Sequence, residues 1–159
     1  MVDDKQTGYA RLAEDLAALL AGERNWIANA ANTSALLHER LPDVNWAGFY
    51  FRDGDELVLG PFQGRPACVR IAMGRGVCGT AAMRRETIVV PDVHKFPGHI
   101  ACDAASNAEV VVPIVHNDRL FGVLDIDSPL TGRFDRADAA GLERVAAVYA
   151  EATEIPFRL

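Results

Sequence analysis

The chain has 159 residues, half of them hydrophobic, with 16 Lys and Arg against 22 Asp and Glu and a formal net charge of −6. That length suits one domain around one core, and an acidic balance without a Lys/Arg cluster excludes nucleic acid and anionic membrane surfaces, which need a basic footprint. No apolar run approaches the roughly 18 to 20 residues that span a bilayer, and the first residues lack the basic and apolar regions of a signal peptide, so a cytoplasmic protein is expected. Structural disulfides are rare there, and three cysteines then read as metal-binding, catalytic or inert.

Tyr9, Leu12, Ala13, Leu16, Leu19 and Leu20 recur at helical spacing, Gly22 breaks the pattern, and a second Ala-rich helix is expected from about Asn25 to Arg40. Trp46 to Phe51, the turn signal Asp53-Gly54 and Glu56 to Leu59 form a hairpin. After a Gly-rich passage, Thr80 to Arg85 continues a short helix, and Thr87 to Val90 is a buried strand ended by Pro91-Asp92. Val93 to Asn107 is a long polar loop, and loops of that length in a small domain tend to carry function. Glu109 to His116 and Leu120 to Asp127 make a second hairpin around Asn117-Asp118. Asp135 caps a last helix with a core stripe of Leu142, Val145, Ala146 and Tyr149. The expected fold is α+β. N-terminal helices over 1–40, a sheet with its loops over 45–128 and a C-terminal helix over 135–154 make one domain spanning 1–159. Its central, largely antiparallel sheet has about five to six strands, with the terminal helices on one face and the active-site loop on the other.

The candidate chemistry begins with Cys68, Cys78 and Cys102. They stand among glycines, prolines and acids rather than in apolar runs, which points to redox chemistry on shaped loops. The alternatives are an inert loop thiol for Cys102 and small core filler for Cys68 and Cys78. Zinc held by these cysteines with His94 or His99 is a further reading. The gaps of ten and twenty-four residues contain no close Cys pair, so no metal is expected. His38, His94, His99 and His116 read as solvated or loop-packing residues. Asp125 and Asp127 are two apart in a strand and share a face, with Glu109 at the start of the neighbouring strand. Buried acids need a partner, a proton or a ligand; for Asp127 a solvated strand end is the plain alternative. Trp46 and Tyr50 also share a face, either as an aromatic wall or as ordinary core.

Gly60-Pro-Phe-Gln-Gly64, Ala67-Cys68, Gly74-Arg-Gly-Val-Cys-Gly79, Phe96-Pro-Gly-His-Ile-Ala-Cys-Asp103, Glu109-Val-Val-Val-Pro113 and Gly122-Val-Leu-Asp-Ile-Asp-Ser128 together resemble the free methionine-(R)-sulfoxide reductases, which use a GAF fold. Ser106-Asn107-Ala108-Glu109 departs from that pattern, which more often has serine just before the glutamate.

The resemblance implies that Cys102 attacks the sulfoxide sulfur of the free amino acid and becomes a sulfenic acid. Cys68 then resolves it to a disulfide, with Cys78 as an alternative or secondary partner. It places Glu109, Asp125 and Asp127 in the substrate site, with one or more reading the ammonium and Glu109 or Asp127 protonating or polarising the sulfoxide oxygen. Trp46 and Tyr50 are implied near the S-methyl end. Thioredoxin as reductant, a homodimer perhaps built through the N-terminal helices, and no cofactor complete the expectation. A GAF-type sensor that binds a small cationic or cyclic ligand without turnover, and a zinc-stabilised binding domain, are the rival readings.

Overall fold

Of the three long helices, two are set by their ends as much as by their stripes. The computed structural model describes residues 2–98 and 105–156. Helix α1 (Val2–Leu20) buries Tyr9, Leu12, Ala13, Leu16 and Leu20 along one side. Helix α2 (Trp26–Arg40) starts where the Asn25 side chain accepts from the backbone N–H groups of Ile27 and Ala28, satisfying two donors that the first helical turn leaves free. The last helix, Arg136–Ala152, is closed at its start by a reciprocal box. The Asp135 carboxylate accepts from the Asp138 backbone, and the Asp138 carboxylate accepts from the Asp135 backbone.

Between the second and last helices the chain forms six strands: β1 (Trp46–Asp53), β2 (Glu56–Gln63), β3 (Arg70–Ala72), β4 (Ile88–Val90), β5 (Ala108–His116) and β6 (Arg119–Ser128). The sheet order is β3-β2-β1-β6-β5-β4, and each neighbouring pair is antiparallel. A short helix, α3 (Gly76–Arg84), precedes β4, so the last helix is α4. The expected helix at Thr80 thus begins four residues earlier, inside the Gly-rich passage. Asn117 and Asp118 both adopt positive φ, 51° and 62°, which is the two-residue turn geometry that matches strand twist and fixes the β5–β6 register.

The sheet separates two apolar clusters by strand parity. Ala47, Phe49 and Phe51 of β1, Val110, Val112 and Ile114 of β5, and Leu124 and Ile126 of β6 point towards α2 and α4, with α1 packed outside them. The alternate residues, Trp46 and Tyr50, Val111 and Val123, face the other way, where α3 supplies Val77, Cys78, Ala81 and Ala82. The terminal helices therefore cover one face, as the sequence predicts, and the opposite face carries α3 and the candidate site.

Two differences from the sequence expectation bear on that site. Strand β2 runs on through Gly60-Pro61-Phe62 to Gln63, although proline usually ends a central strand. Strand β3 pairs only with Glu56–Val58, so the outer edge of β2 at Pro61 has no strand whose ladder needs an N–H. The long loop after β4 opens with a short 3-10 turn, Val93–Lys95, in which the Asp92 side chain accepts from the His94 N–H. Asn107 ties the far end of that loop down: its carbonyl accepts from Val93, its own N–H donates to Ser128, and its side chain donates to the Pro129 carbonyl.

Candidate active site

Register alone gathers the three acids. Glu109 pairs with Asp127 across β5 and β6, Asp127 pairs with Trp46 across β6 and β1, and Asp125 pairs with Gly48. All lie on the α3 face of the central strands. Glu109 and Asp125 are buried, at 8% and 5% exposure, and Asp127 is half-buried. Gly48 keeps this corner open, because a Cβ there would run into Phe62 and come within 2.9 Å of the Trp46 ring.

Helix α3 lowers Cys78 onto the acids. Its Sγ lies 3.8 Å from a Glu109 carboxylate oxygen, and donor atoms of Cys78, Glu109 and Asp125 all fall within 4.8 Å of one another. Among the described residues, Asp125 Oδ1 is buried without a hydrogen-bond partner, and no Lys, Arg or His forms an ion pair with Glu109 or Asp125. Burial first, and then the neighbouring carboxylates, push Glu109 and Asp125 well above the usual carboxyl range. Burial likewise pushes the Cys78 thiol up, reinforced by Asp125 and Glu109. The corner is thus rich in acidic groups, has no cation paired with Glu109 or Asp125 among the described residues, and favours the protonated forms of those groups.

An aromatic stack forms the adjoining wall. Trp46 stacks on Phe62 at 5.2 Å between ring centres and on Tyr50 at 5.9 Å. Both polar ends of the wall grip the segment that leads to Cys68: the Trp46 indole N–H donates to the Arg65 carbonyl, and the Tyr50 hydroxyl donates to the Cys68 carbonyl at 2.9 Å. Cys68 is half-buried and disulfide-bonded, whereas Cys78 is a free thiol. The wall and the Cys68 segment are therefore one mechanical unit.

Of the residues singled out from sequence, Trp46, Tyr50, Cys68, Cys78, Glu109, Asp125 and Asp127 lie on or against this one face. Cys102 and His99 lie outside the described residues. The exposed His94 has its Nε2 2.9 Å from the Asn107 side-chain oxygen and serves the loop stem, while His38 and His116 are exposed on other elements. Phe62 was not anticipated from sequence as part of the site. The expected strand ends at Leu59, three residues before it.

The GAF domain model matches residues 7–152. The chain is 58% identical over 144 residues to the free methionine-R-sulfoxide reductase of Escherichia coli, covering 91% of this chain and 87% of that one. The chain belongs to the free methionine-R-sulfoxide reductase family of GAF domains. A family structure from Staphylococcus aureus in complex with its substrate superposes with a TM-score of 0.87 at 51% identity, covering 91% of this chain and 94% of that one. A Burkholderia vietnamiensis protein described as a GAF sensor is similar at 59% identity and a TM-score of 0.91, covering 94% and 95% of the two chains. The likeness to the family runs through strands β1, β5 and β6 that carry the acids and the tryptophan, not only through the scaffold helices, since the matches span nine-tenths of the chain.

Proposed function

We propose that this protein reduces free L-methionine-(R)-sulfoxide to L-methionine, with Cys102 as nucleophile and Cys68 as resolving cysteine. The observation that carries the reading is the buried Glu109–Asp125 corner, which has no paired cation among the described residues, beside the Trp46–Tyr50–Phe62 wall. A free amino acid sulfoxide brings the missing ammonium, and its methyl-sulfinyl end suits an aromatic face. The family's Escherichia coli and Staphylococcus aureus members, one named for this activity and the other described with its substrate, support the same assignment.

In the reaction the Cys102 thiolate attacks the sulfoxide sulfur while the oxygen takes a proton from Glu109 or Asp127. The S–O oxygen passes to Cys102 as a sulfenic acid and methionine leaves. The Cys68 thiol then displaces hydroxide from that sulfenic acid, forming the disulfide and water. Two thiols are oxidised by two electrons, and the sulfoxide is reduced by two. Thioredoxin restores both thiols. A disulfide-bonded Cys68 beside a free Cys78 supports Cys68 as the cysteine that cycles. For the assembly, a homodimer through the N-terminal helices is supported by the exposed Leu19 at the end of α1 and Ile27 at the start of α2.

The test is methionine formation from each purified sulfoxide epimer with thioredoxin, thioredoxin reductase and NADPH. The expected result is turnover of free (R)-sulfoxide alone, abolished in Cys102→Ser with the fold retained. Substantial turnover by Cys102→Ser overturns the mechanism, and ligand binding without turnover in the wild type favours a sensor.

A further inference from the structure

Cys78 has no part in the cycle above, yet its thiol is aimed at two carboxyl groups. The side chains of Cys78, Glu109 and Asp125 are each more than nine-tenths buried, and one donor atom from each lies within 4.8 Å of the others. Independently, Asp125 Oδ1 is buried with no hydrogen-bond partner among the described residues, a costly state that a cation would relieve. One thiol with two carboxylates is a mixed soft and hard donor set. Magnesium and calcium favour oxygen alone, whereas zinc takes sulfur at about 2.3 Å and carboxylate oxygen at about 2.0 to 2.2 Å. Donors at those lengths around one ion stand roughly 3 to 4 Å apart, so side-chain rotation of a fraction of the present spacing closes the set. Three protein ligands leave a fourth position for water.

We propose that Cys78, Glu109 and Asp125 form a zinc site in the amino-acid-free protein, and that zinc held there occupies the place of the substrate ammonium and inhibits the reductase. Binding displaces the thiol and carboxyl protons to solvent and moves no electrons. The zinc site stands on the geometry alone; the competition with substrate rests on the function proposed above.

The experiment uses the full-length chain carrying Cys68→Ser and Cys102→Ser, in which Cys78 is the remaining thiol. Zinc uptake is measured by equilibrium dialysis and cobalt uptake by absorption, each with and without free L-methionine. The expected result is one metal per chain, a thiolate-to-cobalt band in the near ultraviolet and release of protons. Adding Cys78→Ser should remove the band, and adding the isosteric Asp125→Asn should weaken uptake at least tenfold, with circular dichroism checking the fold of each. Metal uptake that is absent, or unchanged by both substitutions, overturns the site. Should Cys78→Ser fail to fold, the Asp125→Asn result decides alone. Metal uptake that depends on Cys78 and Asp125 but is indifferent to L-methionine overturns the inhibition and the ammonium placement while leaving the zinc site standing.

Discussion

The Cys78 thiol meets the Glu109 carboxyl at 3.8 Å in a buried corner, and burial first, then the Asp125 and Glu109 carboxyls, favour the protonated thiol. A protonated, buried thiol is a poor nucleophile towards a sulfenic acid. Cys78→Ser is therefore expected to retain thioredoxin-driven turnover within about fivefold of wild type, the factor that a weak hydrogen bond of about 1 kcal/mol represents. Cys68→Ser should release one equivalent of methionine and then lose efficient recycling. Steady-state and single-turnover rates of the two variants check this, and the reverse pattern would make Cys78 the resolver.

Selectivity for the free amino acid follows from the same corner. N-acetylation removes the ammonium, so Glu109 and Asp125 are left buried against an amide, a penalty of several kcal/mol. Catalytic efficiency on N-acetyl-methionine-(R)-sulfoxide should fall by roughly two or more orders of magnitude. Asp125→Asn should lose efficiency on the free substrate and show a smaller gap between the two. Equal efficiency on both substrates in the wild type would remove the acids from amine recognition.

Stability should depend on pH in a defined direction. Glu109 and Asp125 have folded-state pKa values raised above their unfolded ones, so the folded chain binds more protons. The stabilisation is complete below the ordinary carboxyl pKa of about 4 and is lost as pH rises through the raised values. Thermal melts of the substrate-free protein should therefore decline from pH 5 to pH 8. Asp125→Asn should melt higher than wild type at pH 8, with a smaller difference at pH 5. A wild-type curve that rises over this range would contradict the assignment.

Gly141 in α4 has Tyr9 of α1 against its backbone, and a Cβ there would overlap the ring. The tyrosine cannot retreat freely, because its hydroxyl donates to Asp138 at 2.8 Å and Asp138 is also bound by Lys5 and Arg133. Alanine gains about 1 kcal/mol in helix propensity, but overpacking costs about 1 to 3 kcal/mol, so Gly141→Ala should be neutral to destabilising by about 2 kcal/mol. Gly8→Ala in α1, where the added Cβ meets nothing within 4 Å, should instead stabilise. Denaturant melts of the two variants distinguish packing from propensity.

The sequence made the helix ends, the two hairpins and the shared face of Asp125 and Asp127 readable, because caps, turn residues and two-residue periodicity are local signals. The continuation of β2 through Pro61 was not readable. It depends on how far β3 reaches along the sheet, which is a property of a different strand. For the same reason Phe62 was missed while Trp46, four residues before Tyr50 on one strand, was found. The approach of Cys78 to Glu109 joins a helix to a strand 31 residues away, and no spacing rule encodes that contact.

Strand parity puts Glu109, Asp125 and Asp127 on one face of β5 and β6 and Val110, Leu124 and Ile126 on the other. A slip of one residue in β5 or β6 would turn its acids into the apolar layer beneath α2 and α4, where burying a carboxyl without a partner costs several kcal/mol. Mispaired hairpins are thus penalised more heavily than an all-apolar pair would be. The acids gathered at the candidate site thus also proofread the folding of the sheet that holds them.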